Sequence, residues 1–161
     1  MATAAPDGYA AVTPWIVSRD TSGLLDFMRR AFDAEEVARI ANADGVVSHA
    51  EARIGDAVIM AFDAPQDARP TPAFLRLFVD DADAAFERAL SMGATAVTRV
   101  TELAFGDRVG RIRDPFGNIW WLQSHVEDVA PQAVAARAKE AKFVAAMAYV
   151  QASLKVALKS V

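Results

Sequence analysis

The sequence predicts an α+β protein of two tandem βαβββ modules and a C-terminal helix, on three observations. The same order of strand and helix patterns occurs twice along the 161 residues. At an offset of 60, Asp20, Ala34, Val37 and Arg39 meet Asp80, Ala94, Val97 and Arg99, so the two stretches read as copies of one unit. After Asp128 the composition changes to an Ala- and Lys-rich segment without glycine, as a helix requires. A share of 53% hydrophobic and 24% charged residues is that of a soluble globular chain with enough apolar surface for a core.

Residues 12–18, VTPWIVS, are short, β-branched and aromatic, the composition of a strand. Thr21 or Ser22 then caps a helix to about Phe32, whose apolar side is Leu24, Leu25, Phe27, Met28, Ala31 and Phe32. Glu36–Ile40 and Val46–Ile54 read as strands joined by the Asn42-Ala-Asp-Gly45 turn. Gly55-Asp56 turns the chain into a fourth strand, Ala57–Phe62, and Pro65, Pro70 and Pro72 make the next stretch a linker. The order then repeats. Phe74–Val79 is a strand and Asp81–Met92 a helix ended by Gly93. Ala96–Val100, Arg108–Arg113 and Ile119–Ser124 are strands, the last two joined by the Asp114-Pro-Phe-Gly-Asn118 turn.

The chain therefore divides into a first module over 9–64, a linker over 65–72, a second module over 73–129 and a helical extension over 131–161. In the extension Phe143, Met147, Val150, Leu154 and Ala157 recur at steps of four and three, one apolar stripe opposite Lys139, Lys142, Lys155 and Lys159. Such a helix docks on its own domain or on a partner subunit; a membrane-surface position is the alternative.

Composition also excludes chemistry. Cysteine is absent, so thiol catalysis, disulfides and cysteine-ligated metals are ruled out. His49 and His125 are the only histidines, too few for a three-histidine metal site in one chain. A net charge of −4 argues against a nucleic-acid partner. No unbroken run of about 18 apolar residues occurs, so no membrane span is expected. Met1–Gly8 lacks the features of a signal peptide, and the expected location is cytoplasmic. Neither a G-x-G-x-x-G loop nor a G-x-S-x-G elbow is present.

Three segments together resemble one family: VTPWIVSRDTSGLLDFMRRAF, then HAEARIGDAVIM, then FLRLFVDDADAAFERALSMGA with GDRVGRIRDPFGNIWWLQSHVEDV. Over residues 9–129 the chain resembles the vicinal oxygen chelate superfamily of glyoxalases, extradiol dioxygenases and bleomycin-resistance proteins, most closely a PhnB-like, glyoxalase-like subgroup. The resemblance implies mixed sheets cupped around a ligand cavity, and a homodimer. It also implies four inward metal-ligand positions, which fall near Thr13, Met60, Phe74 and Trp121. Those side chains do not supply the oxygen and imidazole donors a divalent metal needs, and Gln123 and Asp63 nearby are too few to rebuild the set. No metal and no cofactor are therefore expected.

Strand alternation supplies the remaining lining. Trp15 and Val17 follow Thr13 inward; Val58 and Phe62 follow Met60; Arg76 and Phe78 follow Phe74; Gln123 follows Trp121. Val47, His49, Glu51 and Arg53 share the inward side of their strand, with Ala50, Ala52 and Ile54 on the helix side. The expected ligand-binding residues are thus Trp15, Met60, Phe62, Phe74, Arg76, Phe78, Trp121 and Gln123, an apolar wall with few polar groups. The alternative is that these aromatics simply fill the core. Arg76 pairs either with Glu51 or with an anionic ligand. His49 beside Glu51 has the parts for acid–base work, and a metal-dependent glyoxalase- or dioxygenase-type site displaced to this pair is the alternative function. His125 reads as a structural hydrogen-bonding residue. Arg108, Arg111 and Arg113 read as a solvated, salt-bridged face, or as a group closing over an anion.

Overall fold

The computed structural model describes residues 5–159; residues 1–4 of the Met1–Gly8 terminus and 160–161 of the expected extension lie outside it. Two four-stranded mixed sheets with helices are present, in two compact units. One unit runs to Ala73 and takes in Pro115–Asn118; the other holds Phe74–Asp114 and the chain from Ile119 onward.

In the first unit the elements are β1 (Trp15–Ser18), α1 (Thr21–Phe32), β2 (Glu35–Ala41), β3 (Val47–Ile54) and β4 (Ala57–Asp63). The strand order is β1-β4-β3-β2, with β1 parallel to β4. The first strand begins at Trp15 and not at Val12, because Pro14 lacks the N–H a ladder needs; its carbonyl still accepts from Met60 N at 2.9 Å. The helix cap is Asp20, one residue before the expected Thr21 or Ser22. Its carboxylate accepts from Gly23 N at 2.7 Å. Gly23 makes this closure fit, since a Cβ there would lie 2.4 Å from Asp20 Oδ2. The six expected apolar residues of α1 are all buried. The linker runs back beside β1, where Thr71 pairs with Val17.

The second unit contains β5 (Phe74–Phe78), α2 (Ala82–Ser91), β6 (Thr95–Glu102), β7 (Asp107–Arg113) and β8 (Ile119–His125), in the order β5-β8-β7-β6. Asp81 caps α2 through Ala84 N. The internal repeat is therefore one residue longer at the helix caps, Asp20 matching Asp81 and not Asp80. The same step carries Trp15 to Arg76 and Met60 to Trp121, pairs that hold the same register in their sheets.

The extension is two helices, α3 (Pro131–Arg137) and α4 (Ala141–Leu158), not one. Glu140 is extended between them (ψ 137°), and Arg137 is anchored to Glu127 at 2.6 Å and lies over the Phe143 ring. Phe143 and Val150 of the expected stripe are buried, with Ala146, Ser153, Leu154 and Ala157 partly so, but Met147 is 37% exposed. The stripe's period of 3.5 drifts from the helix's 3.6, so the contact face is centred on Ala146, Val150, Ser153 and Ala157. By length and composition alone α4 is long and apolar enough to cross a membrane. Lys142 and Lys155 interrupt its sequence.

Candidate functional site

In the first sheet, α1 covers one face and leaves the other to Trp15, Val17, Met60, Phe62, His49, Glu51 and Arg53, as strand alternation predicts. Register places Trp15, Met60, Glu51 and Ala38 side by side across four strands. Trp15 is 47% exposed and meets the edges of His49 and Phe62 at 5.6 and 5.7 Å between ring centroids. Val47 and Val58, expected among the lining residues, are buried.

His49 Nε2 lies 2.8 Å from Glu51 Oε1, so the two candidate acid–base residues do meet. Glu51 Oε2 accepts from the Tyr9 hydroxyl, which sequence spacing could not bring to it from 42 residues away. The Tyr9 hydrogen bond, followed by that from His49, holds the Glu51 carboxyl below its ordinary range, and the same bond raises the Tyr9 phenol. Within its own unit both Glu51 carboxylate oxygens are engaged, one by Tyr9 and one by His49. Arg53 donates to the Gly8 carbonyl at 3.1 Å.

In the second sheet, Phe74, Arg76 and Phe78 point to one side of β5, with Phe74 49% and Phe78 63% exposed. A shallow cleft of about 210 Å³ is lined by Phe74, Leu75, Arg76 and Trp121. The Phe74 ring stacks against Trp121 at 6.4 Å and 24°. The Arg76 guanidinium lies 4.8 Å from the Trp121 ring and 6.0 Å from the Phe78 ring. Among the described residues Arg76 has no carboxylate partner. Gln123 shares this face but is buried, donating to Asp107.

The arginine cluster departs from expectation. Arg108 does form a surface ion pair, with Asp83 of α2 at 2.7 Å. Arg111, expected in solvent, is 2% exposed, because α4 lies on β6 and over this part of the sheet. Its Nη1 donates to Thr98 Oγ1 at 3.0 Å and to the Val150 carbonyl at 2.9 Å, and its guanidinium lies 4.0 Å from the Trp121 ring. Burial, and then the charge of Arg76, hold its pKa below the ordinary arginine value. Arg113 donates to the Ala157 carbonyl at 2.8 Å. Odd-numbered positions of β7 share the Trp121 side, the side that α4 covers.

His125 bridges two carboxylates, Asp107 at 2.6 Å and Asp128 at 2.9 Å, as a structural residue of the strand exit. Those two contacts raise its pKa, Asp107 first. The family's metal positions do not fit a metal: β1 and β5 offer Trp15, Phe74 and Arg76, and β4 and β8 offer Met60 and Trp121. Among the described residues no three His, Asp or Glu side chains come together as ligands.

Comparison with known proteins agrees with this architecture. The sequence model of the Glyoxalase/Bleomycin resistance protein/Dioxygenase superfamily matches residues 9–122. Uncharacterized protein Rv0887c of Mycobacterium tuberculosis is 38% identical over 130 residues, covering 74% of this chain and 76% of that one. Uncharacterized protein Mb0911c of Mycobacterium bovis is likewise 38% identical, covering 74% of this chain and 86% of that one. Among solved structures, TioX from Micromonospora sp. ML1 is similar with a TM-score of 0.59 at 20% identity, over 75% of this chain and 100% of that one. The PhnB protein from Bacillus cereus gives 0.57 at 18%, over 71% and 99%. The fosfomycin resistance protein FosX from Mesorhizobium loti gives 0.51 at 20%, over 70% and 89%. With its module order repeated in two sheets and the family's sequence pattern across 9–122, the chain belongs to the Glyoxalase/Bleomycin resistance protein/Dioxygenase superfamily.

Proposed function

We propose that the protein is a metal-free small-molecule-binding member of this superfamily, a cytoplasmic homodimer that holds an aromatic anion against the Phe74–Arg76–Phe78–Trp121 face. One observation carries the reading. Arg76 stands among exposed aromatic rings, 4.8 Å from Trp121, with no carboxylate partner among the described residues. Arg108 on the same sheet, by contrast, is paired with Asp83. A flat ligand gains area by stacking on Phe74 and Trp121, while a carboxylate or phosphate on it gains a charge-assisted contact from Arg76. The sheet of the other unit carries an aromatic face of its own, Trp15 with Met60 and Phe62.

Replacing Arg76 with Met keeps much of the stem and removes the charge. Titration of tryptophan fluorescence should show a loss of about ten- to a hundredfold in affinity for 1-naphthoate, the scale of a hydrogen bond to a charged group. Affinity for neutral 1-naphthamide should change much less. Equal losses for the two ligands, or none for either, would overturn the reading.

A further inference from the structure

We propose that Arg111, beneath α4, shares with Arg76 the ligand's anionic head, and that α4 is a movable cover over this subsite. The proposal rests on the reading of the Arg76–Trp121 face given above and deepens it.

Register sets Arg76, Trp121, Arg111 and Thr98 side by side across β5, β8, β7 and β6. One indole thus separates two guanidiniums of like charge, at 4.8 and 4.0 Å from its ring. Arg76 is the exposed member of the pair and Arg111 the buried one. Among the described residues no carboxylate stands at ion-pair distance from either. Arg111 is held through one nitrogen by a hydroxyl and a helix carbonyl, and its Nε is buried without a partner. Trp121 Nε1 is likewise buried without a partner. A buried guanidinium with neutral partners and an idle donor is poorly compensated. An oxyanion would supply what the site lacks, a negative charge and acceptors that match the guanidinium fork.

α4 lies on β6, and its Val150 carbonyl accepts from Arg111. Its Val150 packs with Leu103 and Val109, and Trp121 and Ala146 pack against this cluster. Its polar ties include Ser153 to Thr98 at 2.7 Å, Tyr149 to the Arg99 N–H at 2.9 Å, and its carbonyls to Arg111 and Arg113. Of its eighteen residues only Phe143 and Val150 are buried. An element held by so little apolar contact belongs to the low-stability end of a fold, where covers over sites are found. It also lies beyond residue 122, where the family's sequence pattern ends. The ring of the ligand would rest by Phe74 and Trp121, and its head would stand beside Trp121 between Arg76 and Arg111, replacing the Val150 carbonyl at Arg111.

The chain contains no cysteine, so a Thr98→Cys, Ser153→Cys double variant carries a single crosslink. The two hydroxyls stand 2.7 Å apart, within reach of a disulfide. By calorimetry, the reduced variant should bind 1-naphthoate at least tenfold more tightly than the oxidised one, and reductant should reverse the loss. Binding of 1-naphthamide should be equal in both states. A 1-naphthyl phosphate arm shows whether the subsite takes a larger oxyanion under the same control. Equal affinity for 1-naphthoate in the two states would overturn the cover while leaving the Arg76 face intact. Absence of 1-naphthoate binding to the unmodified protein would overturn both. Should the variant not fold, hydrogen exchange on the unmodified protein decides. Amides of residues 141–158 should exchange faster with 1-naphthoate bound, and unchanged or slower exchange would refute the proposal.

Discussion

His125 shows how far one side chain's surroundings set its chemistry. Its two ring nitrogens face Asp107 and Asp128, which raise its pKa above 6.5, with the buried Asp107 contributing most. A raised pKa means that the folded state binds the proton more tightly. The stabilisation is therefore fully present below about pH 6.5, the unfolded value, and is lost as the pH rises through the folded value. An NMR titration of the His125 ring should give a pKa above 6.5 that falls on Asp128→Asn and moves back toward 6.5 in molar salt. A value at or below 6.5 would contradict the geometry. The sequence made His125 legible as a hydrogen-bonding residue, because it stands at a strand exit beside acidic residues. It misjudged Arg111, because β7 looked like a polar edge until a distant helix was laid over it.

Elements are joined by side chains whose partners lie far off in sequence, and Asp63 is the clearest. At the end of β4 its Oδ1 accepts from Thr21 N, at the start of α1, and its Oδ2 from Val47 N, at the start of β3, both at 2.7 Å. It thereby satisfies a helix-start N–H that the helix itself cannot. In the second unit Ser124 does the same for Ala82 N at 3.3 Å. Asp63→Ala should lower the unfolding free energy by about 2–4 kcal/mol, from two bonds to a charged group. Ser124→Ala should cost about 1 kcal/mol, a neutral bond. Urea unfolding measures both, and equal effects would show that Asp63 acts by charge-independent packing. The sequence placed the strands and helices because alternation, capping residues and turn glycines are local signals. It took Asp63 only for a spare metal donor, since nothing local ties it to positions 42 and 16 residues away. For α4 it foresaw a buried stripe but not what lies under it: a stripe says that a face is covered, not by what.

At the scale of the whole molecule, α4 presents Val144, Met147, Val156 and Leu158 on its exposed surface. A helix apolar on most of its circumference ordinarily has neighbours on more than one side. The expected assembly is a homodimer to which this helix contributes. Light scattering after size exclusion at micromolar concentration should return twice the 17.3 kDa chain mass, and Val144→Glu with Leu158→Glu should return it to one. A monomeric mass for the unmodified chain would refute this. The strand order has one further consequence. β5 ends its sheet, and Phe74 and Phe78 stand exposed along it with Arg76 between them. A short apolar edge strand invites pairing with the same strand of another chain, and a central charge is the usual guard against it. Arg76 is then also a gatekeeper of solubility. Drift at this position toward an apolar residue would expose the chain to aggregation as well as change its ligand preference.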